Sequence, residues 1–272
     1  MKQEKQISSK LKIPNRVSHS SIKDYSACPL LFLYRKILYL ELPYESVHLH
    51  FGKSLHRALE LYSNGEKDYN GVFLNTFTPE KLEHKDLAKY YEFRETGLKM
   101  LEQYVQQNKS FDWKVTKTEE KATFSNVEDP TTGTKLLFNE ITGVIDFETN
   151  TGCLGDYKTS GHKYKQEEAD SSLQPTLYYL LYWLKHKTLP KKFIYVVFLK
   201  KRKKDMIQIL ETKRTFKDIT NLINTINKIY EKVEKEQFQR GHDSSTFCDC
   251  YKYEELLRPR KYDRSRTMVF DF

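Results

Sequence analysis

The sequence predicts a protein of the α/β or α+β class, with a central mixed sheet and helices before and after it. Three observations predict this. The run Phe193-Ile-Tyr-Val-Val-Phe-Leu199 is almost continuously apolar and made of strand formers, the pattern of a strand covered on both faces. Residues 141–159 read as two strands around the turn Glu148-Thr-Asn-Thr-Gly152, where Asn and Gly suit positive-φ positions. Apolar residues at three- and four-residue spacing mark helices on either side, most clearly Ile219, Leu222, Ile223, Ile226, Ile229 and Val233.

Taken in order, residues 1–16 form a polar, basic arm that is expected to be flexible. Ser18 or Ser20 then caps a short helix carrying Ile22 and Tyr25. Pro29 resets the chain, and a second helix carries Phe32, Tyr34 and Ile37. A helix over His50–Tyr62 turns Leu55, Leu59 and Tyr62 inward, leaves His56 off the stripe's centre, and stops at Asn64-Gly65. A long amphipathic helix is predicted from Glu80 to about Gln107, with Leu87, Tyr91, Leu98, Leu101 and Val105 inward. Trp113–Asn126 reads as a strand containing Glu119 and Glu120, and Lys135–Phe147 and Cys153–Thr159 continue the sheet. A polar loop leads to Asp170, and Asp170, Ser171 or Ser172 caps a very apolar helix through Leu184 that tolerates Pro175 in its first turn. Strands at Phe193–Leu199 and Asp205–Glu211 and a helix over Phe216–Gln237 complete the pattern.

Composition narrows the function. With 14% aromatic residues among 272, the chain can bury a core although only 38% of it is hydrophobic. A net charge of +9 favours an anionic partner, nucleic acid above all. The basic residues cluster at Lys200-Lys-Arg-Lys-Lys204 and Arg258–Arg266, and nearby tyrosines offer faces for base stacking. Four cysteines do not make a disulfide scaffold. The opening residues are no signal peptide, and no run approaches the roughly 18 apolar residues of a membrane span. An intracellular, soluble protein is expected, and no helicase motif is present.

The chemistry concentrates in the hairpin. Asp156 and Lys158 are two apart in a strand and share a face. If the turn brings Asp146 to that face, two carboxylates and an ammonium converge there. Such a group can hold a divalent cation and position a water or offset charge on a phosphate. A D-x-K strand alone is more often a surface ion pair. Gln174 and Tyr178 lie one turn apart on a buried helix and need polar partners, supplied either by an active site or by a structural network.

The order of these features resembles the PD-(D/E)XK nuclease superfamily, in particular its RecB-type, Cas4-like exonuclease branch. A helical His56 is followed by Asp146 in a G-x-x-D strand, then Asp156-Tyr-Lys158, then Gln174-x-x-x-Tyr178. The opening Ser18-His-Ser-Ser-Ile-Lys-Asp-Tyr-Ser-Ala-Cys-Pro-Leu-Leu-Phe32 resembles that branch's S-x-S-x-L-x-x-Y-x-x-C-P-x-x-F pattern. The resemblance implies an α/β, restriction-endonuclease-like core, a central mixed sheet flanked by helices, with an added N-terminal helical region. It divides the chain into an arm over 1–16, one nuclease domain over 17–255 (helical to about 110, catalytic core from about 111) and a basic tail over 256–272. It implies a metal site of His56, Asp146, Asp156 and the Tyr157 backbone carbonyl. Lys158 would position the attacking water, and Gln174 and Tyr178 would hold substrate or orient the catalytic groups. Glu119 or Glu120 matches an additional acid of the family, with the register left open.

The implied activity is Mg²⁺- or Mn²⁺-dependent hydrolysis of DNA, as an exonuclease on single-stranded ends in repair, recombination or replication, with a helicase or recombination partner. The competing readings are a structure-specific endonuclease and a catalytically silent nucleic-acid-binding subunit. Iron–sulfur members of the family carry one Cys near the start and three near the end, spaced C-x2-C-x5-C. Cys28 fits the first position, but the end offers only Cys248 and Cys250, with Phe247 and Leu256 at the flanking places, and Cys153 lies in the hairpin. An iron–sulfur cluster is therefore not expected, and Cys28 is expected to pack against the terminal segment without metal.

Overall fold

The computed structural model describes residues 11–83, 86–242 and 248–257. Most of the predicted arm, Phe247 and the basic cluster 258–266 lie outside the described residues. Residues Phe193–Leu199 form the spine of a six-stranded sheet and are buried at every position. Phe193, Tyr195, Val197 and Leu199 face one apolar core, and Ile194, Val196 and Phe198 face the other. That alternation is why the run carries no polar residue: both faces of the strand are covered.

The strands are β1 (Arg16–Val17), β2 (Val115–Ser125), β3 (Glu140–Thr149), β4 (Leu154–Ser160), β5 (Phe193–Leu199) and β6 (Ile207–Thr212). The order is β1-β3-β4-β5-β6, and β2 runs antiparallel along β3. β1 with β3 and β4 with β5 are parallel; β3 with β4 and β5 with β6 are antiparallel. The sheet is thus mixed, with helices on both faces.

One face is covered by α7 (Leu173–His186) and α8 (Phe216–Glu234), with α1 (His19–Ala27) packed beside them. Ser18 caps α1 through its hydroxyl, which accepts from the Ser21 N–H at 3.3 Å. α2 (Pro29–Phe32) passes into a π-helical turn at Leu33–Ile37. The opposite face is covered by α3 (Val47–Ser63), α4 (Tyr69–Thr76) and α5 (Leu87–Asn108). A short α6 (Gln166–Ser171) precedes α7, and α9 (Cys250–Leu257) packs against the first helices.

The long helix expected from Glu80 begins instead at Leu87, after a 3-10 turn at Pro79–Lys81. Its inward face also differs: Tyr90, Phe93, Met100 and Tyr104 are buried, and Tyr91 is 67% exposed. Adjacent tyrosines make either phase of the helix plausible from sequence, and the aromatic packing of Tyr90 on Phe77 selects one. Among the described residues no helix is long and apolar enough to cross a membrane.

Candidate active site

β3 and β4 pair only at Phe147 with Gly155 and Glu148 with Leu154. Continued in that register, Asp146 would stand opposite Asp156. The ladder stops there instead, and the Tyr157 N–H donates to Asp146 Oδ2 at 2.9 Å. The parting of the strands makes room for side chains where backbone pairing would otherwise close the sheet. The side-chain alternation breaks at the same point. Ile145 faces the α7 layer, whereas Phe147 packs with Tyr157 and Trp113 in the α3–α5 layer.

Three further elements reach this opening. From α3, His56 Nδ1 lies 3.2 Å from Asp146 Oδ2. From α7, Gln174 Nε2 donates to Asp156 Oδ1 at 2.5 Å and to Tyr178 Oη at 3.1 Å. The polar pair on the buried helix thus finds its partners in each other and in the hairpin acid. From β2, Glu119 sits between the pairs Thr118–Phe147 and Glu120–Ile145, opposite Asp146. Its φ of 49° is in the left-handed region, which costs a non-glycine residue about 1–3 kcal/mol. That strained backbone accompanies a carboxylate turned toward His56 and Asp146. Glu120, one residue on, pairs with Lys185 on the outside.

The ligand atoms of His56, Glu119 and Asp146 lie within 4.8 Å of one another. Two carboxylates and an imidazole are a suitable donor set for Mg²⁺ or Mn²⁺. Asp156 stands beside this group and is 1% exposed, with Oδ2 2.6 Å from Lys158 Nζ. The Tyr157 side chain points away, its hydroxyl 3.0 Å from that of Tyr104.

The charges are crowded. Burial and the nearby Asp156 push Asp146 well above the ordinary carboxyl range. Partial burial, with Glu60 and Asp156 adding repulsion, also raises Glu119. Burial lowers His56, assisted by Lys158 and opposed by Asp156, which favours a neutral imidazole able to act as a ligand. Burial alone would lower Lys158, but Asp156 and Asp146 outweigh it and hold the ammonium above its usual value. Acids raised by one another's charge are what a bound cation relieves, so the residues present fit a divalent metal.

The group opens into a cleft of ≈ 720 Å³ lined on its basic side by Lys23, Lys53 and Lys158. His19 also lines it, with its pKa lowered to about 4 by burial and by Lys158. Sequence reasoning did not single out His19. Its only signal is its place beside the Ser18 cap, which says nothing of a ring facing residues far along the chain. Next to the cleft, Lys200 is half-buried, with Nζ 5.4 Å from the Phe93 ring centre and 3.1 Å from His48 Nδ1. His48 lines both depressions, so the basic surface continues from one to the other.

The family model described as the PD-(D/E)XK nuclease superfamily matches residues 16–252. Among solved structures, the crystal structure of a "Putative exonuclease" from Eubacterium rectale aligns with a TM-score of 0.55 and 14% identity, covering 90% of each chain. At that identity the likeness speaks for the fold alone. The crystal structure of SSO0001 aligns with a TM-score of 0.34 and 13% identity, over 82% of this chain and 88% of that one. No curated protein matches this chain significantly.

Proposed function

Because this chain belongs to the PD-(D/E)XK nuclease superfamily, we propose that it is a metal-dependent DNA nuclease. We place it in the RecB-type, Cas4-like branch, as an exonuclease acting on single-stranded ends in repair, recombination or replication. The observation that carries the reading is the meeting of Asp146, Asp156 and Lys158 beside His56 and Glu119, where His56 and Lys158 line a basic cleft.

A Mg²⁺ or Mn²⁺ ion at His56, Glu119 and Asp146, with Asp156 and the Tyr157 carbonyl beside it, would stabilise the charge that builds on the phosphate. The chain's own residues do the rest. Lys23, Lys53 and Lys158 draw the anionic backbone into the cleft. Gln174 fixes the rotamer of Asp156, so that Asp156 and Lys158 keep one geometry. Lys158 orients a water against the phosphorus. The water oxygen bonds to phosphorus, the bond to the leaving nucleotide oxygen breaks, and the water's proton ends on that oxygen. The Tyr178 hydroxyl accepts the second bond from the same Gln174 amide nitrogen. Duplex unwinding falls to a helicase partner.

The test compares end-labelled linear and covalently closed single-stranded DNA, with Mg²⁺ or Mn²⁺. Loss of nucleotides from linear strands with circles left intact is expected. Cleaved circles would identify a structure-specific endonuclease. DNA binding without cleavage in either metal would identify a silent binding subunit.

A further inference from the structure

A second group of ligands gathers where the two ends of the described chain meet. Cys28, between α1 and α2, meets His242, Cys248 and Cys250, and all four ligand atoms lie within 4.8 Å of one another. Cys250 Sγ is 3.5 Å from His242 Nε2. A sulfur and a nitrogen bound tetrahedrally to one zinc ion, at bond lengths of about 2.3 and 2.0 Å, sit about 3.5 Å apart. All four cysteines of the chain are free thiols, and Cys28 and Cys250 are wholly buried.

The surroundings are built to hold this arrangement. The backbone N–H groups of Gly241 and Leu31 donate to the Cys28 sulfur. Gly241 runs so close to Cys28 that a Cβ there would lie 3.1 Å from Ala27 O and 3.3 Å from Cys28 Cα. Only glycine lets the segment carrying His242 come this near without displacing backbone. Leu31, Tyr34 and Tyr253 wall the cysteines in a small core separate from the two that flank the sheet. Tyr34 stacks on Tyr253 at 5.7 Å, and Arg35 bonds Asp24, Asp249 and the Tyr253 hydroxyl, locking α9 to the first helices.

These residues do not fit a four-cysteine iron–sulfur cluster. Leu256, at the place where the family's last cysteine would stand, is 48% exposed. A four-iron cluster also binds each thiolate through a different iron, which spreads the sulfurs more widely than ligands sharing one ion. We propose that Cys28, His242, Cys248 and Cys250 form a closed, tetrahedral Cys3His zinc site that staples the N-terminal helices to α9. Thiolate and imidazole donors select zinc over the hard cations suited to the cleft. Four protein ligands leave no open position, so the role is structural. Binding displaces the thiol protons to solvent and couples metal affinity to folding of the two segments that carry the ligands.

The test needs no DNA and stands apart from the nuclease reading. Full-length protein purified without chelator or added metal is analysed for zinc, iron and acid-labile sulfide. About one zinc per chain, without sulfide, is expected. Exchange with Co²⁺ should give thiolate-to-cobalt charge transfer and the intense ligand-field bands of a tetrahedral site. Both H242A and C250S should weaken zinc retention by about 100-fold or more. If C250S does not fold, H242A and the metal content of the unaltered protein decide. Stoichiometric iron with sulfide would overturn the proposal, as would metal-free protein whose thiols all titrate freely and which binds no cobalt.

Discussion

Gln174 ties the α7 helix to the chemistry, because one amide nitrogen donates to both Asp156 and Tyr178. A hydrogen bond to a charged group contributes about 1.5–3 kcal/mol. Gln174→Leu should therefore lower kcat by about 10- to 100-fold and leave KM for DNA near its original value, as single-turnover cleavage would measure. On the proposed mechanism, Lys158→Met removes the cation that orients the water and should cost about 10²–10³-fold in kcat. That Asp146, Asp156, Lys158, Gln174, Tyr178 and His56 come together was legible in the sequence, because short spacings and a fixed order mark them. The choice between Glu119 and Glu120 was not. It depends on one left-handed residue in β2, and alternation along a strand gives no sign of such a break. His19 was hidden for a different reason: its neighbours in space, Lys158 and Asp156, belong to another part of the chain.

At the level of elements, the position of α7 depends on a missing side chain in β3. A Cβ on Gly143 would lie 2.7 Å from Leu181 Cδ1 and 3.1 Å from Leu177 Cδ2. Gly143→Ala should push the helix outward, destabilise the protein by about 1–3 kcal/mol in urea unfolding, and lower kcat by displacing Gln174. The junction of α6 and α7 depends on Arg214. Its buried guanidinium donates to the carbonyls of Ala169 and Ser172 and to Thr176 Oγ1. Arg214→Leu leaves these acceptors unmet, at about 1–3 kcal/mol, and should lower the urea midpoint. β5 and α8 were readable because each buries an uninterrupted pattern. α6 was not, since it is short and polar and is held in place by a residue that follows β6. The break before α5 was also unreadable, because the polar residues around it suit a helix surface as well as a turn.

Across the whole molecule, a net charge of +9 becomes useful through where the charge sits. Lys23, Lys53 and Lys158 line the cleft, and Lys200 and Lys201 line the depression beside it. Removing one lysine that pairs with a DNA phosphate should reduce the slope of log affinity against log salt by about 1. Replacing Lys53 and Lys200 by alanine should therefore weaken DNA binding and flatten its salt dependence, as fluorescence anisotropy would record. The mixed sheet and its two helical layers could be foreseen from strand and helix periodicity. The packing of Cys28 against the segment of α9 was expected from the family resemblance alone, and the place of His242 beside them was not, because contacts between distant segments leave no local pattern. In the proposed mechanism the hairpin acids support cleavage of DNA with a divalent cation. Its most direct test is cleavage and binding of end-labelled single-stranded DNA by the unaltered protein and by Asp156→Ala, each with Mg²⁺ or Mn²⁺ and again after chelation. Metal-dependent cleavage by the unaltered protein is expected, and no cleavage by the folded variant with DNA binding largely kept. Undiminished cleavage by Asp156→Ala, or full activity after chelation, would contradict that claim.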